Sequence, residues 1–90
     1  MQSDLQTLKN VGPRVEACLL AVGIDSVETF RQTGAFESAR RILHSGEMKP
    51  HILLYQALVG AEQNRNIFSF DPTEKLELKT EYQEILNNLF

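Results

Sequence analysis

Apolar residues recur every three or four positions along almost the whole of this chain, and glycine and proline cut the pattern into short lengths. That spacing lines one side of an α-helix, whereas no segment alternates apolar and polar residues as a half-buried strand must. With 90 residues the chain can bury one core and not two. The expected fold is a single all-α domain over residues 1–90, a compact bundle of five to six short helices.

The helix boundaries follow from capping chemistry. Ser3, with Gln6 three residues on, has capping-box spacing, and Leu5 and Leu8 share one side, so a first helix is expected there. Asn10-Val11-Gly12-Pro13 breaks it, because Gly accommodates positive φ and Pro suits the first position of a new helix. Val15, Cys18, Leu19 and Val22 form the next apolar stripe, and Gly23 followed by Ile24 reads as a Schellman stop. Asp25 and Glu28 are spaced as another capping box, opening a short helix that buries Val27 and Phe30 and ends before Gly34. A fourth helix over residues 35–45 turns Ala35, Ala39, Ile42 and Leu43 inward and stops at Gly46. Pro50 opens a fifth, from about 51 to 64, which is apolar on nearly every side; Gly60 within it implies a close helix crossing. Asp71-Pro72-Thr73-Glu74 places N-cap, first-position Pro and third-position Glu in register for the last helix, about 72–90. Its seam is Leu78, Tyr82, Ile85 and Leu89, widened by Leu86 and Phe90.

Charge is unevenly placed. Residues 1–69 balance to zero, and the last 21 residues, Asp71 and the last helix among them, carry the whole net charge of −3. Arg31, Arg40, Arg41 and Lys49 make the middle of the chain basic, but a pI near 5.3 is not that of a dedicated DNA binder. No run of about 18 apolar residues spans a membrane, and the start, MQSDLQTLKN, lacks the pattern of a secretory signal. A single cysteine and no signal point to the cytoplasm.

No enzyme constellation emerges, and no metal or cofactor is expected. His44 and His51 lie on different expected helices without a carboxylate pair at ligand spacing, and Cys18 sits on an apolar stripe as a small hydrophobe. Gly12 is followed by Pro-Arg, which is no phosphate-binding loop of the Gly-Lys-Ser/Thr kind. The hydroxyls of Tyr55 and Tyr82, among core residues, are expected to find local partners.

Sliding the chain by 22 residues lays Gly12 and Ala17 on Gly34 and Ala39, which would be a helix–Gly turn–helix unit repeated in tandem, with a small residue at each crossing. The alternative is that any two short helices joined through Gly look alike. The first copy, LKNVGPRVEACLLAVGI, resembles the helix-hairpin-helix element of DNA repair and recombination proteins. That resemblance implies a phosphate held by the turn and the following helix N-terminus. Lys9, Asn10, Gly12 and Arg14 would make the contact, and Arg40, Arg41 and Lys49 would add a second strip. Asn10 stands where the first Gly of that element usually lies, and Glu16 where a small residue is common.

A wider series, Leu8-x-Asn10-Val11-Gly12-Pro13, Val22-Gly23-Ile24, Ser26-Val27-Glu28, Gly34-Ala35 and Leu53-Leu54-Tyr55-x-Ala57-Leu58-x-Gly60-Ala61, resembles the C-terminal domain of the TfoX/Sxy competence regulators over about residues 5–70. Phe68 stands where that family often carries Trp, and the acidic last helix extends past the usual end. The resemblance implies a bacterial, helix-hairpin-helix-like regulatory module that would stand here as a separate copy, without the family's usual α/β N-terminal domain. Protein–protein binding is the expected activity, toward a transcription factor or a separately encoded α/β domain. The alternative is weak, sequence-independent DNA binding through the first turn. Leu54, Tyr55, Leu58, Tyr82, Leu86 and Phe90 are the expected apolar surface for a partner or a homodimer, because together they offer more apolar area than a small monomer easily hides.

Overall fold

Proline occupies the first position of the first and last helices, where its missing N–H costs no hydrogen bond and its fixed φ suits the turn. The computed structural model describes residues 3–49 and 51–89; Pro50 and Phe90 lie outside the described residues. Among these, five helices follow one another without a strand: α1 (Pro13–Ala21), α2 (Val27–Thr33), α3 (Ala35–Ser45), α4 (Ile52–Gln63) and α5 (Pro72–Leu89). Two short 3₁₀ turns, Leu5–Thr7 and Ile67–Ser69, precede α1 and α5. No helix of the described residues is long and apolar enough to cross a membrane.

α3, α4 and α5 pack against one another, and α1 and α2 close over α3. Leu5, Leu19, Ile24, Phe30, Ile42, Leu58 and Ile85 are fully buried where these elements meet. The radius of gyration, 12.2 Å, is that of a globular chain of this length.

Several boundaries fall where capping chemistry puts them. α1 ends in a Schellman motif, with Ile24 N donating to Leu19 O at 2.9 Å, Gly23 N to Leu20 O at 3.1 Å and Gly23 at φ +85°. Ile24, the apolar partner of that stop, is fully buried. α5 opens with a reciprocal capping box: Glu74 N donates to Asp71 Oδ1 at 2.8 Å, and Asp71 N to Glu74 Oε1 at 3.1 Å. α3 runs over the expected residues and stops at Gly46 in the left-handed region.

Other expectations are corrected. The first helix is only the 3₁₀ turn Leu5–Thr7: the Ser3 hydroxyl and Gln6 Nε2 both donate to the Glu16 carboxylate of α1, and Ser3 Oγ accepts from Leu5 N at 3.3 Å rather than from Gln6 N. The cap of α2 is Ser26, which accepts from Thr29 N at 3.0 Å, and not Asp25. The repeat does not extend to conformation. Gly34 is at φ +84° and joins α2 to α3 directly, whereas Gly12 is extended at φ −97° and ψ −174°. Ala39 is fully buried at its crossing, but Ala17 is exposed.

The described residues of the expected partner surface belong to the core or pack against it. Leu54, Tyr55, Leu58 and Tyr82 are all buried, because the seam of α5 covers α4; Leu86 is half-buried against them. α4 packs against both α3 and α5, and most of its apolar residues are covered within the chain.

Candidate functional site

The first turn is built around Asn10. Leu8 and Val11 are buried on either side of it, and Asn10 itself adopts φ +68°, the left-handed conformation that Asn tolerates better than most residues. Its side chain points inward. Nδ2 donates to Arg65 O at 2.7 Å and to Ala57 O at 3.5 Å, while Oδ1 accepts from Ile67 N at 3.1 Å. One amide thus ties the turn to the middle of α4 and to the connection that follows that helix. Gly60 leaves the space for this latch. A Cβ there would stand 2.4 Å from Asn10 Nδ2 and 2.5 Å from Arg65 O. The close approach foreseen at Gly60 is therefore to a side chain and a loop carbonyl rather than to a crossing helix.

Arg65 extends the latch to α5. Its guanidinium pairs with both carboxylate oxygens of Glu74, donates to Ser69 O at 3.0 Å and lies 4.5 Å over the Phe70 ring. The pairing holds the Glu74 carboxyl down at about 2, with the Asp71 backbone amide adding to it. Neither Arg65 nor Glu74 was singled out as a pair from sequence, since nothing local signals that they meet.

Lys9 and Arg14 are exposed beside the N-terminus of α1, and Gly12 has open space around it. Glu16 stands in the first turn of the same helix, its carboxyl kept below the ordinary carboxylate range by the Ser3 hydroxyl and then by Gln6. A carboxylate there competes with any other anion for the positive end of the helix. Arg40 and Arg41 converge on Glu37, Arg40 with two bonds of 2.6 and 2.7 Å and Arg41 with one of 2.8 Å. Arg40 and then Arg41 depress the Glu37 carboxyl to about 2, so this pair of arginines is already matched with an anion.

Lys49 lies elsewhere, with Arg14, on the rim of a groove of about 790 Å³ between α1, the α3–α4 connection and the start of α4. Val15, Met48, Leu53 and Leu54 give it an apolar lining. Leu54 is buried, Val15 and Met48 are half-buried, and Leu53 is 50% exposed. His51 positions Leu53 by capping α4, its Nδ1 accepting from Leu53 N at 3.1 Å. The groove brings Arg14, Lys49 and Leu54 together from the sequence-derived candidates. Lys9, Asn10, Gly12, Arg40 and Arg41 do not line it. Met48 and Leu53 were missed, since the all-round apolar pattern of α4 gives no sign of which residue stays in water.

Cys18 is buried and its thiol is pushed up by that burial. Tyr55 donates its hydroxyl to Glu81 at 2.7 Å, stacks on Tyr82 and meets the edge of Phe36; burial and then Glu81 raise its pKa. Among the described residues no three His, Cys, Asp or Glu side chains are placed to hold a metal ion.

The family model described as the TfoX C-terminal domain matches residues 1–82. The chain is similar to the crystal structure, in a triclinic form, of an uncharacterised protein from Listeria monocytogenes. The TM-score is 0.81 at 28% identity, over 91% of this chain and 92% of that one. No curated protein matches.

Proposed function

This chain belongs to the TfoX C-terminal domain family, and from that premise we propose that it is a non-enzymatic module of the competence-regulator kind, acting in the bacterial cytoplasm by binding another protein. The observation that carries the choice of protein over DNA is the inward-facing amide of Asn10. In a phosphate-holding turn the polar groups face outward to the backbone of the nucleic acid. Here the most prominent of them is spent on the α4–α5 connection, and Glu16 adds a negative charge beside the helix N-terminus. Arg40 and Arg41, expected as a second strip, share Glu37 instead.

The second reading, weak sequence-independent DNA binding of the helix-hairpin-helix kind, is favoured by Lys9 and Arg14, both exposed and without an ion pair among the described residues. The two readings separate in a fluorescence-anisotropy titration of a short labelled duplex at low salt. Protein binding as the primary role predicts no saturable change. Saturable binding that weakens steeply with salt and disappears in Arg14→Glu would hand the site to DNA.

A further inference from the structure

Two cations and an apolar floor are the unusual combination in the groove beside α1. Arg14 and Lys49 stand on its rim, both exposed and neither in an ion pair among the described residues. Arg40 and Arg41, by contrast, pair with Glu37 on their own helix, and Arg65 pairs with Glu74 across the α4–α5 connection. Glu47 is the one acid lining the groove, so the cations outnumber it. Beneath them Leu53 remains half in water with Val15 and Met48 at its sides, although most of the other apolar residues of α4 are covered. An occupant that matches both features must bring an apolar side chain for the floor and carboxylates for the rim. Nucleic acid offers the charge without the apolar anchor.

We propose that this groove receives an acidic, amphipathic segment of a partner protein, which seats a large apolar side chain against Leu53, Val15 and Met48 and sets carboxylates opposite Arg14 and Lys49. The inference rests on the protein-binding reading above and gives it a place and a partner chemistry. The apolar anchor supplies most of the affinity, and the rim charges steer approach and exclude basic competitors. Leu53 is a suitable reporter because its side chain supports little of the core. An Asp in its place also sits in the first turn of α4, where a negative charge suits the helix end.

The test pans a displayed random peptide library on the full chain. Enriched peptides are then titrated by anisotropy against the unaltered chain, the Arg14→Glu/Lys49→Glu chain and Leu53→Asp, with circular dichroism checking helical content. The expected result is enrichment of sequences in which Asp or Glu flank a large apolar residue, with affinity reduced about tenfold or more in both variants. Enrichment of basic or purely polar sequences, equal affinity for all three chains, or no enrichment at all would overturn the proposal. So would self-association of the chain that Leu53→Asp abolishes, since the occupant would then be a second copy. A native partner held equally well by the Arg14→Glu/Lys49→Glu chain would remove this groove and leave the protein-binding reading standing. Duplex binding without any protein ligand would remove that reading itself.

Discussion

Replacing Asn10 by alanine removes a side chain that satisfies Arg65 O and Ile67 N and leaves a Cβ in the left-handed region. The expected cost is about 2–4 kcal/mol by chemical denaturation, from unmet polar groups together with backbone strain. Asn10→Gly relieves the strain and keeps the loss of the latch, so it falls between alanine and the native residue. Gly60→Ala drives a methyl into the same latch and is expected to cost about 2 kcal/mol or more. Because both changes break one structure, the double variant should be much less destabilised than the sum of the two. Additive effects would show that the contacts are independent. Sequence marked both residues, Asn10 as part of a turn and Gly60 as a close approach. It did not show that they belong together, because the contact joins positions 50 apart and no local pattern encodes it. The same distance hides the role of Asn10: read locally, an Asn two residues ahead of Gly12-Pro13 is a phosphate candidate, and only the tertiary structure turns it inward.

The first turns of α2 and α3 also take hydrogen-bond acceptors from remote elements. Gly34 brings no side chain to the start of α3, and Glu62 of α4 accepts from Ala35 N at 2.9 Å in its place. Asp4, ahead of α1, likewise accepts from Val27 N at 2.8 Å at the start of α2. Glu62→Ala is therefore expected to cost about 1 kcal/mol in thermal or chemical unfolding, comparable to Asp71→Ala at the local cap of α5. No change in stability would show that water replaces the Glu62 carboxylate at no cost. Local signals were sufficient for the stops of α1 and α3 and the start of α5, which are made by adjacent residues. They failed for the first turn, where Ser3 and Gln6 have capping spacing but give their hydrogen bonds to Glu16. Periodicity also could not say which side of α4 would be covered, and so the partner surface was placed on residues that α5 buries.

For the molecule as a whole, burial of Leu54, Tyr55, Leu58 and Tyr82 removes the main reason to expect a homodimer, and sedimentation at micromolar concentration should show a monomer. Its acid response should follow Glu37 and Glu74. Both carboxyls are held at about 2 against an ordinary value of 4.5, so their ion pairs contribute stability above about pH 4.5 that is lost as the pH falls toward 2. Both are partly exposed, which keeps the contribution small. Melting temperatures of Glu37→Gln/Glu74→Gln should accordingly fall less steeply between pH 5 and 2 than those of the unaltered chain; parallel curves would assign the acid response to other groups. Glu74→Gln retains a side chain able to complete the capping box, so the comparison isolates charge. The proposal places protein docking in the groove of Arg14, Lys49 and Leu53 and no phosphate at the turn of Gly12. Backbone-amide shift mapping of one labelled sample, against a short duplex and against an acidic–apolar peptide, tests it most directly. Saturable shifts of Val15, Met48 and Leu53 with the peptide, and none with the duplex, are expected; saturable shifts of Gly12 and Arg14 with the duplex, and a silent groove with the peptide, would overturn the proposal.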